Sequence, residues 1–197
     1  WRCMSDVVES SSNSGVKAIR EWITVIGVAL LIAFVVRGFV LQQFYISGPS
    51  MESTMFQNNR VLVNKLSYRL HDIHRGDVVV FDRVTTDGVE VQHDDLIKRV
   101  IGLSGDTVSI SNCVVSVNGQ QVEEPYLNDY DLAESNLDDR CRVPEMAATT
   151  VASGQLFVMG DNRPQSFDSR MFGTVDEDLV VGRAFVIIWP LGSFHWL

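Results

Sequence analysis

The chain has 197 residues and a formal net charge of −9, with 46% hydrophobic and 21% charged residues. That length accommodates one domain with a real core plus a membrane anchor, and the acidic balance excludes nucleic acid as a partner, because phosphate binding needs a basic face. Neither a phosphate loop nor a Gly-rich dinucleotide fingerprint occurs, and Cys3, Cys113 and Cys141 form neither a Cys-x-x-Cys pair nor a zinc-ligand pattern, so no cofactor or metal is expected.

Residues 1–21 read as a polar cytoplasmic tail, disordered through its Ser- and Asn-rich part around Ser10 to Gly15. Trp1 in place of methionine is expected of a chain whose true start lies upstream. No charge occurs between Trp22 and Val36, and Arg37 is the only one before Glu52. Residues 22–41 therefore match the roughly twenty needed to span ~30 Å of hydrocarbon. Trp22 marks one interface and Arg37 snorkels to the other. A buried helix of a soluble domain and a cleavable signal peptide are the alternatives. The second lacks a small-residue cleavage site in the stretch from Phe39 to Tyr45. Arg2, Lys17 and Arg20 precede the span and only Arg60 closely follows it. The positive-inside rule then puts the N-terminus in the cytoplasm and residues 42–197 outside.

Beyond the span the pattern is β. Residues 60–64, 77–81, 96–101, 107–110, 114–117 and 179–188 are short runs rich in Val and Ile. Asn118-Gly119 signals a tight hairpin. No long amphipathic helix follows residue 56, and the acidic stretch 128–146 reads as an exposed loop. An all-β domain on one N-terminal transmembrane helix is the fold class these patterns predict. Cys113 and Cys141 both fall on the outer side, where a disulfide between them is expected; two free thiols are the alternative.

Three stretches carry chemistry. In Gly48-Pro49-Ser50-Met51, Pro49 fixes its own φ and keeps Gly48 out of the helical region. Ser50 therefore sits on a stiff, non-helical approach, as a reacting oxygen requires; a plain surface turn is the bland alternative. A serine nucleophile needs a base. His93, beside Asp94, lies in a charged turn over residues 87–95 and reads as an exposed loop histidine, and His71 and His74 lie in a polar connection without a third metal ligand. Lysine is the other option. On a strand over 96–101, Leu96, Lys98 and Val100 share one face. Apolar neighbours there lower a lysine pKa and free its amine as a base; an edge-strand lysine reaching for solvent is the competing reading. The third stretch, 160–170, is dense in groups that make fixed hydrogen bonds: Gly160-Asp161-Asn162-Arg163-Pro164-Gln165-Ser166-Phe167-Asp168-Ser169-Arg170.

In this order behind an anchor, the three stretches resemble the type I signal peptidase family, membrane-bound serine proteases with a Ser-Lys dyad. The resemblance runs from about Glu21 to Pro190. It implies the β fold shared by signal peptidases and self-cleaving repressors. It makes Ser50 the nucleophile, Lys98 the general base and Ser166 the hydroxyl that orients Lys98, with Asp161, Asp168 and Arg170 bracing the site. The Ser50 main-chain N–H is the first oxyanion donor; a serine hydroxyl two residues before the nucleophile supplies a second in some members, but Gly48 stands there in this chain. Ile46, Met51 and Ile97 occupy positions that line shallow pockets for small side chains, typically alanine, one and three residues before the cut. Ser104 replaces a usual proline, and Pro164-Gln165 replaces an Asp-Asn pair. The partners implied are signal peptides of exported preproteins and membrane lipid, and the location is the cell membrane. A self-cleaving repressor protease and a tethered β domain that binds without catalysis are the rival readings. Nothing before Ser50 resembles the DNA-binding domain that the first would need.

Overall fold

The structure is a computed structural model and describes residues 6–87, 90–127 and 140–197. The chain divides into two units, Trp1–Leu41 and Gln42–Leu197.

The first unit is helix α1, Asp6–Val35, ending in a π turn over Val36–Val40. The expected disordered tail is corrected here, because helical geometry already holds at Asp6. Propagating a helix costs far less than nucleating one, so the good formers of Lys17-Ala18-Ile19-Arg20-Glu21 extend backwards through the serines. Within this unit Lys17–Gly38 is long and apolar enough to cross a membrane, 22 residues with none of that surface buried in the protein. At 1.5 Å per residue it measures about 33 Å. The expected span of 22–41 overlaps this stretch over 22–38, and Leu41 opens a strand.

The second unit contains two antiparallel sheets. The larger runs in the order β1 (Leu41–Tyr45), β2 (Arg60–Asn64), β11 (Val180–Trp189), β3 (Val78–Asp87), β4 (Glu90–Gly102), β9 (Gln155–Met159), β10 (Val175–Asp176), with β12 (His195–Trp196) also on β11. The smaller runs β7 (Gln120–Gln121), β6 (Val114–Val117), β5 (Thr107–Ser111), β8 (Met146–Thr150). Among the described residues this unit also has two four-residue α-helices, α2 (Ser67–Leu70) and α3 (Ser169–Phe172). All six expected strands are present, and β3 and β4 are longer than expected. Pairing Val84 with His93 and Asp87 with Glu90 makes strand of what read as a charged turn. The first part of the expected acidic loop, 128–139, lies outside the described residues; 141–145 is irregular, and only its last residue, Met146, belongs to strand β8.

Position in the sheet explains the unbroken apolar run Val78-Val79-Val80-Phe81. Val79 and Phe81 pack with Leu96, Val100 and Val158, while Val78 and Val80 pack with Ile46, Met51, Met55 and Ile97. A strand buried on both faces has no polar side to alternate. A third cluster joins Ile101, Phe157 and Met159 of the large sheet to Val108, Ile110, Val115 and Val117 of the small one. The hairpin at Asn118-Gly119 has φ of 53° and 78°, the left-handed pair that a tight two-residue turn requires.

Cys113, in the β5–β6 turn, is joined to Cys141 by a disulfide with a Cα–Cα distance of 5.8 Å across a sequence separation of 28. A loop of that length contributes about 3–4 kcal/mol in the chain-entropy account. Replacing both cysteines by serine is expected to lower the thermal midpoint by roughly 6–14 °C in calorimetry; an unchanged midpoint would show that the bridge carries no stability.

Candidate active site

Ser50 lies in a single 3-10 turn, Pro49–Met51, entered from Gly48 in an extended conformation (φ −128°, ψ 161°). Proline suits the first helical position because its missing N–H would be unpaired there anyway. The same geometry leaves the Ser50 N–H without an acceptor inside the turn. Buried Met51 and Met55 anchor the turn from below, and Met55 N–H donates to Met51 O. Ile46 N–H donates to Asn59 O, and Ile46 O accepts from Asn58, each at 2.9 Å, which fixes the chain entering the turn. Ser50 itself stays half-buried, open to an approaching group.

Lys98 is on β4 opposite Val79 and is 3% exposed. Its Nζ lies 2.7 Å from Ser50 Oγ, donating to it in the ammonium form, and donates to its neighbour's carbonyl, Ile97 O, at 3.0 Å. Burial lowers its pKa from 10.5 to about 8; Asp168 and Asp161 push it back up and Arg170 pushes it down. At pH 7 such an amine is neutral in about one molecule in ten, against ~0.03% at the ordinary value.

The loop 160–170 closes the third side. Asn162 N–H donates to Ser50 O at 3.1 Å. Gly160 cannot be larger, because a Cβ there would collide with Ser50 O and with Ser166 Oγ. The three residues are thus in contact. Ser166 is fully buried, yet its Oγ has no hydrogen-bond partner among the described residues. The expected bond from Ser166 to Lys98 is therefore not present in this structure. The Ser166 hydroxyl is one of the groups that favour the ionised form of Asp168, though without hydrogen-bond geometry to it.

Asp168 and Arg170 form a buried two-pronged pair, with Arg170 Nε to Oδ1 at 2.8 Å and Nη2 to Oδ2 at 2.7 Å. Gly160 N–H also donates to Asp168 Oδ2, at 2.9 Å. Burial raises the Asp168 pKa, but the Arg170 pair, then Ser166 and the Gly160 N–H, outweigh it and hold the carboxyl below its usual range. Asp161 makes the equivalent pair with Arg99, Nε to Oδ1 at 2.9 Å and Nη2 to Oδ2 at 2.7 Å. Thr54 Oγ1 donates to Asp161 at 2.6 Å, so this ion pair also reaches the stretch just after the Ser50 turn.

Sequence reasoning passed over Arg99, Thr54, Ser169, Glu124, Tyr126 and Arg163. Arg99 carried a signal: a second cation, next to Lys98 in an apolar strand, needs a buried partner. Ser169, whose Oγ accepts from Val158 N–H at 2.9 Å, carried none. Of the expected pocket residues, Ile46 and Met51 are 4% and 0% exposed and belong to the core, while Ile97 is half-buried. His93 is not at the site: it stands on β4, its side chain 62% exposed, and its Nδ1 is 2.6 Å from Asp82 Oδ2. Concavity alone is a poor guide, since a cleft of about 650 Å³ between Cys113 and Leu127 contains neither Ser50 nor Lys98. No group of three or more His, Cys, Asp or Glu among the described residues is placed to hold a metal.

The family model described as "Signal peptidase, peptidase S26" matches residues 19–189. Signal peptidase IB of Staphylococcus aureus strain MRSA252 is 37% identical over 188 residues, 91% of this chain and 94% of that protein. The probable signal peptidase I-2 of Synechocystis is 39% identical over 167 residues, 83% of this chain and 70% of that protein. The crystal structure of a signal peptidase I from Enterococcus faecalis V583 superposes with a TM-score of 0.44 at 30% identity, covering 57% of this chain and 97% of that one.

Two stability effects follow from the ion pairs and the buried lysine. Asp161→Ala strands Arg99, 8% exposed in its side chain, and is expected to cost about 3–5 kcal/mol in denaturant unfolding; a loss below about 1 kcal/mol would mean the pair is not buried in solution. Lys98→Met is expected to stabilise. Below pH 8 both folded and unfolded chains carry the proton, so the full burial penalty applies; between about 8 and 10.5 the folded chain has lost it and the unfolded chain has not, so wild-type stability climbs. The gain from Lys98→Met is therefore roughly 3 kcal/mol at pH 7, at ~1.4 kcal/mol per pH unit, and disappears by about pH 10.5. A gain that does not depend on pH would contradict this.

Proposed function

The chain belongs to the signal peptidase family, peptidase S26, and from that premise we propose that it is a membrane-anchored endopeptidase in which Ser50 is the nucleophile and Lys98 the general base. The observation that carries this reading is the 2.7 Å approach of Lys98 Nζ to Ser50 Oγ, made by an amine that burial has brought to a pKa of about 8.

The neutral amine takes the Ser50 proton as Oγ forms a bond to the scissile carbonyl carbon. The resulting ammonium gives that proton to the leaving amine as the C–N bond breaks. Water then attacks the ester carbonyl carbon as Lys98 takes its proton; the acyl C–Oγ bond breaks, Lys98 returns that proton to Ser50 Oγ, and the carboxylic acid product leaves. The negative oxygen of each tetrahedral intermediate is met by the Ser50 N–H. Gly48, where a Cβ would meet nothing within 4 Å, offers no side-chain donor. Ser166 acts on the lysine once substrate has displaced the resting contacts, since hydrogen bonds at catalytic groups often tighten only in the complex.

The substrates are signal peptides of exported preproteins, cut after small residues in the pattern Ala-x-Ala. Half-buried Ile97, backed by Ile46 and Met51, gives a shallow floor that favours small side chains. The uncharged run that starts at Trp22 within Lys17–Gly38 anchors the chain once across the cell membrane, and Arg2, Lys17 and Arg20 before that run favour a cytoplasmic N-terminus.

The test is cleavage of a preprotein bearing Ala-x-Ala before its cut site. Ser50→Ala and Lys98→Ala are expected to abolish processing, and His93→Ala to leave it near wild type. The rate with peptide is expected to rise along a limb near pH 8 that His93→Ala preserves. Processing by Lys98→Ala at the wild-type rate, or a limb near ~6.5 lost with a histidine, would defeat the lysine assignment.

A further inference from the structure

We propose that Tyr126 and Glu124 are positioning residues for the reaction, forming a strap over residues 124–126 that ties together the three stretches carrying Ser50, Lys98 and Ser166; this rests on the dyad reading above. Every link is a named contact. Ser53, three residues past the nucleophile, has φ of 89°, a left-handed conformation that a serine keeps only when its surroundings enforce it. Its Oγ donates to Tyr126 O at 3.1 Å. On the second stretch, the guanidinium of Arg99 lies 3.9 Å from the centre of the Tyr126 ring. The phenol hydroxyl donates to Glu124 Oε1 at 2.9 Å. Glu124 in turn receives the fork of Arg163, Nη1 to Oε2 at 3.0 Å and Nη2 to Oε1. Arg163 Nε then donates to Gly160 O at 3.2 Å, at the residue wedged between Ser50 and Ser166. The Glu124 and Arg163 side chains are only 11% and 5% exposed, so water competes little for either.

The strap bears on proton transfer through Arg99. Asp161 is one of two carboxylates that raise the Lys98 pKa, Asp168 being the other, and Arg170 opposes them. Arg99 sits on Asp161 in a two-pronged pair and neutralises it. The aromatic face of Tyr126 holds Arg99 in that place, because a ring attracts a partly desolvated guanidinium across its face. With the ring removed, Arg99 is freer to leave, the Asp161 charge acts on Lys98 with less compensation, and the ammonium is favoured over the amine. The Ser53 bond goes to the main chain and remains in any side-chain variant; Tyr126→Leu removes both the ring face and the hydroxyl bond to Glu124, whereas Tyr126→Phe removes only the hydroxyl, so the two variants together isolate the Arg99 link.

The experiment uses the full chain in detergent with the Ala-x-Ala preprotein and a peptide substrate, comparing Tyr126→Leu, Tyr126→Phe and Glu124→Gln. Tyr126→Leu is expected to lower kcat about tenfold with KM within about twofold, and to move the rising pH limb upward. Tyr126→Phe, which keeps the ring face, is expected to restore the limb to its wild-type position. Glu124→Gln is expected to lower kcat several-fold through the Arg163 link. An unchanged kcat and limb in folded Tyr126→Leu would overturn the proposal. So would a loss matched by a smaller folded fraction with the limb unmoved, which is the mark of a purely structural residue. If Tyr126→Leu does not fold, Glu124→Gln decides, and an unchanged kcat there overturns the strap. A limb that survives Lys98→Ala refutes the dyad, and the strap with it.

Discussion

The 2.7 Å contact between Lys98 Nζ and Ser50 Oγ exists only because two neighbouring cations, Lys98 and Arg99, are carried together into a strand that buries both. Removing an ammonium from water is costly, and the fold meets the cost differently on the two side chains. Arg99 stays charged and receives a full carboxylate partner in Asp161. Lys98 receives no carboxylate in hydrogen-bond contact, only a hydroxyl and a carbonyl, and its pKa falls. One strand thus converts a paired cation into an anchor and an unpaired one into a reagent.

Much of the surrounding structure keeps those two roles apart. Asp168, the largest influence favouring the ammonium, is neutralised by Arg170 and accepts a hydrogen bond from the Gly160 N–H. Asp161 is neutralised by Arg99 and braced by Thr54 from just after the Ser50 turn. These pairs are buried, so breaking one by removing a single partner leaves a bare charge in a dry interior. The glycine at 160 is a steric requirement of the same site: the loop backbone, the Ser50 carbonyl and the Ser166 hydroxyl meet where no side chain fits. On the proposed reading activity is set against stability, because the general base, Lys98, is an amine that burial penalises in its charged form.

The parts legible in the sequence were local. Pro49 before Ser50, the apolar alternation around Lys98 and the dense polar run from Asp161 to Arg170 each announce a rigid or unusual environment within a few residues. The strands with Val and Ile were readable for the same reason. What escaped depends on distant pairing. Strand β1, Leu41–Tyr45, carries two glutamines and abuts the apolar segment; only its pairing with β2 makes it a strand. Strand β9, Gln155–Met159, pairs with the strand that carries Lys98 and leads into Gly160, yet is a short run with no flanking signal beyond Gly154. Tyr126 and Glu124 lie in a turn of ordinary composition, and their importance comes from Arg99 and Arg163, whose positions only the fold supplies. Ile46 and Met51 illustrate the opposite case, residues singled out for contact with substrate that first of all hold up the nucleophile turn from the core.

The account stands or falls on the state of one amine. Heteronuclear NMR of the Lys98 side chain, labelled at the ζ nitrogen and ε carbon and assigned by comparison with Lys98→Met, titrates that group directly in the resting protein. A midpoint near 8, well separated from the remaining lysines, is the result expected of an amine desolvated beside Ser50. A midpoint at the ordinary value of ~10.4 would contradict it, because the lysine would then be solvated and charged at neutral pH and unfit to take a proton from serine.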